Sequence, residues 1–238
     1  MKILVTNDDS IYSKGIYKLA EAAKSLGDVT VVAPKEEQSA KSHAIDIKNG
    51  LNLEKFDLGL GLDAYTLSST PADCIRAAYF ALKLDFDIVF SGINNGLNLG
   101  EDIFYSGTIA AISEGATLGK RGIAFSTYES NFDVVIKHFD EIMAYFKDNN
   151  LFEYNLIYNV NVPKDPRGIK ITKQGSTHFD TRFDNIDGMY FQRGRPRFER
   201  DVENENSDVG AIHENYISIT PLNIDRTNYE VLNLLKNK

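Results

Sequence analysis

Cysteine is nearly absent from this chain: Cys74 stands alone among 238 residues. One thiol excludes an internal disulfide framework and suits a reducing compartment. Its apolar neighbours Ala72, Ile75, Ala77 and Ala78 make a buried structural thiol the expectation, rather than a nucleophile. No apolar run reaches the roughly 18 residues that a membrane-spanning helix needs. After Lys2 the apolar run is Ile3-Leu4-Val5, too short for a signal peptide. The expected location is therefore the cytoplasm, with no membrane partner. Basic residues are in deficit too, with 26 Lys and Arg against 34 Asp and Glu and a net charge of −8. The missing basic footprint argues against general nucleic-acid binding. The same acidic field repels phosphate, so a phosphate substrate would need local help from a cation or backbone N–H groups.

What the chain does have starts at its first ten residues, MKILVTNDDS. Ile3-Leu4-Val5 is fit for a buried strand, and it runs into Asn7-Asp8-Asp9. Adjacent carboxylates at a strand end repel each other and cost desolvation. A divalent cation relieves both, and hard cations such as Mg²⁺ or Mn²⁺ prefer carboxylate oxygens. The plainer alternative is a solvated turn that caps the next helix.

Strand and helix patterns alternate through residues 1–150. Strands are expected at 2–6, 29–33, 51–56, 64–68, 88–91 and 122–126. Helices are expected at 15–26, 70–82, 106–118 and 132–148, from apolar spacing and from end signals such as Thr70-Pro71 and Gly119. Segments 39–49 and 92–105 read as loops. The alternation implies an α/β fold: a Rossmann-like, mainly parallel sheet with helices on both faces. Beyond about residue 155 the pattern changes to strands at 156–162, 168–172 and 216–220, an arm or hairpin at 188–198 and a helix at 226–235. With no linker or repeat, residues 1–238 read as one domain. Residues 1–150 form its nucleotide- and metal-binding core, and 151–238 add a sheet extension and oligomerisation arms.

Four loops carry chemistry. The first is Asn7-Asp8-Asp9-Ser10, and the second, 37–42, offers the Ser39 hydroxyl as a metal ligand. The third, 91–100, holds three glycines and three asparagines directly after a strand. Gly and Asn tolerate positive φ, which turns N–H groups inward, and an Asn carboxamide oxygen suits a hard metal. The fourth, Tyr105-Ser106-Gly107-Thr108, opens a helix where hydroxyls, free N–H groups and the positive dipole end favour phosphate. A plain N-cap at Ser106 or a tight structural turn at 91–100 would explain each loop singly. All four follow expected parallel strands, so they can converge at one sheet edge. A cation held by Asp8, Asp9, Ser39 and Asn95 would then face a phosphate at Ser106, Gly107 and Thr108. Asp8 is the candidate general base and Asn95 a second candidate catalytic group. Tyr12 and Tyr105 are aromatics able to stack on a base. Arg193, Arg195, Arg197 and Arg200 form a basic cluster on the arm, read as a solvated or intersubunit face. His43, His138, His178 and His213 show no metal spacing.

On these residues the chain resembles the SurE (survival protein E) family of metal-dependent nucleotidases. The matching stretches are TNDD at the start, QSAKS near 40, STPADC at 69–74, SGINNGLNLGEDIFYSGT at 91–108, NVNVP at 159–163, KQG at 173–175 and SDVGAIHENYISITPL at 207–222. The resemblance implies a phosphatase of nucleoside 5′- and 3′-monophosphates, with short polyphosphate as a further substrate. It puts one Mg²⁺ or Mn²⁺ per subunit on Asp8, Asp9, Ser39 and Asn95. It also implies C-terminal arms that exchange between subunits of a homodimer or homotetramer. Ser10, Ala40 and Asn215 stand where the family usually has Gly, and none of the three removes an expected ligand. Two rival readings remain: an aspartyl-phosphate phosphatase and a non-enzymatic nucleotide-binding regulator. The first is disfavoured because the chain offers Asp-Asp rather than Asp-x-Asp, and its later apolar strand ends in Ser91.

Overall fold

Ile3 and Val5 turn to one side of a central sheet and Leu4 to the other, and all three are buried. The period-2 alternation of strand side chains therefore feeds two cores rather than one core and solvent. The computed structural model describes residues 1–194, 196–197 and 201–237. Its strands are β1 (Lys2–Thr6), β2 (Asp28–Pro34), β3 (Leu53–Phe56), β4 (Asp63–Leu67), β5 (Ile88–Asn95), β6 (Arg121–Thr127) and β7 (Ile157–Val162). They continue with β8 (Ile169–Ile171), β9 (His178–Phe179), β10 (Arg182–Ile186), β11 (Met189–Arg193), β12 (Pro196–Arg197) and β13 (Ile217–Leu222). Helices are α1 (Lys14–Ala23), α2 (Pro71–Arg76), α3 (Gly107–Thr117), α4 (Phe132–Lys137), α5 (Phe139–Asp148), α6 (Leu151–Tyr154), α7 (Asp208–His213) and α8 (Tyr229–Lys236).

Nine strands form one sheet in the order β3-β4-β2-β1-β5-β6-β7-β13-β8. The run from β4 to β7 is parallel, β3 pairs antiparallel with β4 and β13 antiparallel with β7, and β8 joins the edge parallel to β13. This is the expected α/β, Rossmann-like arrangement. Packed on one face, α1, α4 and α5 bury Ile16, Leu19, Val135, Phe139 and Ile142. On the other, α2 and α3 bury Ile75, Ile109 and Ile112. Cys74 lies here, fully buried, where desolvation pushes its thiol pKa up and keeps it unreactive. The chain leaves β1 towards β2 on one side and returns through β5 towards β6 on the other. That reversal makes the β1/β5 boundary a topological switch point, where ligands bind beyond the strand ends.

Several elements differ from the sequence expectation. Strand β5 does not stop at Ser91 but runs to Asn95, because Asn94 and Asn95 pair with Ser126 and Thr127 after a register shift. Gly92 makes this passage at φ +132°, and a Cβ there would lie 2.4 Å from the Phe125 carbonyl oxygen. The expected helix 132–148 is two helices, α4 and α5, broken at His138. There the His138 backbone leaves helical geometry, at φ −104° and ψ 6°. The helix after Thr70 ends its α-helical run at Arg76 and continues as a π turn, Ala77–Ala81. Helix α7, at six residues, is too short to show apolar periodicity and was not expected. The arm is a β10–β11 hairpin turning at Asp187-Gly188, both at positive φ as a two-residue hairpin turn requires. Arg195 and Arg200 of the basic cluster lie outside the described residues. No described helix is long and apolar enough to cross a membrane.

Candidate active site at the β1/β5 strand ends

Beyond Thr6, the last residue of β1, the chain must turn sharply into α1. Asn7 organises that turn: its Nδ2 donates to the Ser10 carbonyl and to Ser13 Oγ, each at 2.8 Å. Ser13 is itself the N-cap of α1. With Asn7 committed inward, Asp8 and Asp9 are delivered to the strand end. The Asp8 carbonyl also accepts from Gln38 N–H at 2.8 Å, which fastens the loop carrying Ser39 beside it. Further along, Ser42 N–H donates to the Tyr105 carbonyl and Ser42 Oγ to the Phe104 carbonyl. Two neighbouring strand ends and the mouth of α3 are thereby laced together.

A cavity of about 400 Å³ opens here. It is lined by Asp8, Asp9, Ser39, Asn95 and Ser106, five of the seven residues singled out from sequence. Gly107 and Thr108 do not line it. They stand behind Asp8: the Thr108 hydroxyl donates to Asp8 Oδ1 at 2.6 Å, and the backbone N–H groups of both residues favour its charged form. Gly107 packs so closely that an added Cβ would lie 2.8 Å from Asp8 Cβ. Ser106 is the N-cap of α3, its Oγ accepting from Ile109 N–H at 3.2 Å. Its hydroxyl proton remains free to donate into the cavity.

The electrostatics favour a cation. Burial raises the Asp8 pKa, against the opposing donors from Thr108 and Gly107. Burial, then the charge of Asp8, pushes Asp9 up to about 6, although Asn95 N–H donates to Asp9 Oδ2 at 3.0 Å. No cationic side chain is among the groups acting on either carboxylate. Asn95 Oδ1 accepts from Ser130 N–H at 2.7 Å and keeps a second lone pair. Ser39 donates its proton to Glu37 at 2.5 Å, leaving its oxygen lone pairs free. Two uncompensated carboxylates plus two neutral oxygens are a hard donor set that fits Mg²⁺ or Mn²⁺. The described residues contain no trio of His, Cys, Asp and Glu placed to hold a metal, so these mixed oxygens are the donors on offer.

Sequence reasoning missed several lining residues, among them Asp102, Tyr128 and Glu129. Tyr128 and Glu129 follow β6, so the strand-end rule that picked the other loops could have found them. The absence of metal spacing also left His43 without a role in the sequence. The ring of His43 lies 2.8 Å from Glu114 of α3, whose other oxygen takes Arg76 at 2.8 Å. The bond to His43, then Arg76 against the cost of burial, holds the Glu114 carboxyl below the usual range. His43 thus fastens the Ser39 loop to the helix that backs Asp8.

A family model described as "Survival protein SurE" matches residues 3–181. The chain is 39% identical over 253 residues to a 5′-nucleotidase SurE of Alkaliphilus metalliredigens, covering 100% of this chain and 98% of that protein. It is 37% identical over 252 residues to a 5′-nucleotidase SurE of Clostridium botulinum, covering 99% and 98%. The crystal structure of the SurE protein from Aquifex aeolicus superposes with a TM-score of 0.82 at 36% identity, covering 100% of this chain and 99% of that one.

Proposed function

The chain belongs to the SurE family, and from that membership we propose that it is a metal-dependent 5′-nucleotidase that releases phosphate from nucleoside 5′-monophosphates. The observation that carries this reading is the convergence of Asp8, Asp9, Ser39, Asn95 and Ser106 on one cavity at the switch point of the sheet. Asp8, Asp9, Ser39 and Asn95 would hold one divalent cation per chain, Mg²⁺ or Mn²⁺. When bound, the cation supplies Lewis acidity at a phosphoryl oxygen and a lowered pKa for water.

The chain's own residues do the rest. Asp8, held at the strand end by the Thr108 hydroxyl, accepts the proton of the attacking water. The Ser106 hydroxyl donates to a non-bridging phosphoryl oxygen, with the positive end of α3 behind it. Gly107 and Thr108 act through Asp8, holding its carboxylate in place rather than gripping phosphate directly. Asn95 contributes its free carboxamide N–H to the same phosphate. The same reading extends to 3′-monophosphates and short polyphosphate. It also treats residues 1–238 as one domain, since β13 and β8 extend the core sheet.

Assembly follows from the arms. No residue of α8 is buried, and its Tyr229, Val231, Leu234 and Leu235 are exposed together with Phe183, Met189 and Tyr190 of the hairpin. Such apolar surface calls for a partner copy, in a homodimer or homotetramer. A lone buried thiol is consistent with the cytoplasm.

The test is phosphate release from a panel of 5′- and 3′-nucleoside monophosphates and tripolyphosphate, with Mg²⁺ or Mn²⁺ and with chelator. Release from 5′-monophosphates, abolished by EDTA, is expected. No release from any of them with either metal would leave a nucleotide-binding regulator in its place.

A further inference from the structure

The NVNVP stretch at 159–163 has no residue on the cavity at the strand ends. Yet Asn159 and Asn161 of β7 are fully buried. Their strand neighbours Tyr158, Val160 and Val162 fill the core under α1, α4 and α5, so the period of two turns both carboxamides to the opposite, α3 side. Apolar side chains are the expected occupants of a central strand covered on both faces. Burying a carboxamide costs desolvation that only its hydrogen bonds offset. The bonds these two make all end on one residue, Asn98, in the loop after β5. Asn98 is itself buried and lines the cavity.

We propose that Asn161, assisted by Asn159, is a positioning residue for catalysis: the pair clamps the backbone of Asn98 and so sets the loop that runs from Asn95 along the cavity wall. The proposal rests on the nucleotidase reading and adds to it residues that line no part of the cavity. Asn161 Oδ1 accepts from the Asn98 N–H and Asn161 Nδ2 donates to the Asn98 carbonyl, each at 2.9 Å. One carboxamide thus pairs with both peptide groups of Asn98, as a neighbouring strand would. Asn159 Nδ2 donates to the same carbonyl at 2.8 Å. Ser126 of β6, in register with Asn161, accepts from Asn98 Nδ2 at 2.9 Å, so the Asn98 side chain is fixed as well as its backbone. Asn159 Oδ1 is buried with no partner among the described residues. That orphaned oxygen lowers stability, so the bond to Asn98 explains this residue better than packing does.

The rest of the loop is held separately. The Leu99 carbonyl accepts from Thr177 Oγ1 at 3.2 Å, and Gly100 N–H donates to Asp208 Oδ2 at 3.1 Å. Removing the Asn161 carboxamide therefore frees Asn98 without releasing the segment beyond it. A misplacement of about 1 Å near reacting groups costs on the order of a hundredfold in rate, so a loosened wall is read in turnover.

The test uses Asn161→Leu, which fills a similar volume without hydrogen bonds, and Asn161→Asp, whose carboxyl regains a donor beside its acceptor when protonated. Hydrogen exchange by mass spectrometry reads the peptide spanning residues 96–101, and kcat/KM for 5′-AMP is compared with wild type at each pH of a series. Asn161→Leu should exchange faster in that peptide and lose at least about tenfold in kcat/KM. Asn161→Asp should exceed Asn161→Leu at the lowest pH where the wild type turns over, a rescue that mere space-filling does not give. Wild-type exchange or wild-type turnover in Asn161→Leu, or equal activity of the two variants at that pH, overturns the clamp. If the Asn161 variants do not fold, Asn159→Ala, which removes one donor and leaves the paired carboxamide, decides. Faster exchange in the same peptide with a severalfold loss of kcat/KM supports the clamp, and a wild-type value of either overturns it. If the wild type releases no phosphate, the nucleotidase reading fails, and the exchange rates still decide whether Asn161 holds Asn98.

Discussion

Ser10, Ala40 and Asn215 all adopt positive φ, at 83°, 57° and 61°. At these three positions the family resemblance implies Gly, and positive φ is the conformation that Gly adopts without a Cβ penalty. A left-handed residue with a Cβ costs roughly 1–2 kcal/mol, less for Asn, and Gly recovers part of it against a larger unfolded-state entropy. Ser10→Gly and Ala40→Gly should each raise unfolding free energy by about 0.5–1 kcal/mol in urea titrations, and Asn215→Gly by less. The departures were legible in the sequence; the sign of φ was not, because it depends on how each turn closes. A second residue, Asp208, has no partner that sequence could name. It accepts from the backbone N–H groups of Gly100, Gly175 and Val209, yet burial outweighs them and raises its pKa from 3.8 to about 6. Between those values the folded protein keeps a proton that the unfolded chain has lost. Its contribution to stability is therefore full below about 3.8 and lost as pH rises through about 6, on the order of 3 kcal/mol. The wild-type minus Asp208→Asn difference in unfolding free energy should fall across that window; a flat difference would show Asp208 titrating normally.

Helix α3 is the element that ties the fold to the site. Its N-cap Ser106 faces the cavity, its Gly107 and Thr108 back Asp8, and its Glu114 holds the Ser39 loop through His43. Gly107→Ala would press a methyl group against the Asp8 side chain. It should lower kcat/KM for 5′-AMP by at least about tenfold, given how steeply catalysis depends on placement, while the far-UV circular dichroism stays native. Wild-type kinetics in that variant would mean that Asp8 can move without cost. The strands and helices of residues 1–150 were readable because buried strands and amphipathic helices leave strong periods. What stayed hidden depended on neighbours: β5 passes Ser91 because β6 offers partners for Asn94 and Asn95. The cavity-lining residues Asp8, Asp9, Ser39 and Asn95 were legible because each lies at or just beyond a strand end. The helix-backed role of Gly107 and Thr108 was not, since helix-mouth chemistry alone reads as a phosphate cradle.

At the scale of the whole molecule, a twisted parallel sheet places its switch point beside two carboxylates, and the C-terminal arms leave apolar surface in solvent. Glu at both Leu234 and Leu235 of α8 should shift the sedimentation coefficient towards that of a monomer, and an unchanged coefficient would place the contact elsewhere. The acidic net charge of −8 makes a local cation the means by which this surface accepts a phosphate. The most direct measurement is calorimetric titration of Mn²⁺ into metal-stripped protein, wild type beside Asp9→Asn. One Mn²⁺ per chain in the wild type, with affinity lowered by at least about a hundredfold in Asp9→Asn, is the expected result. Equal binding by both proteins, or none by the wild type, would contradict a cation held between Asp8, Asp9, Ser39 and Asn95.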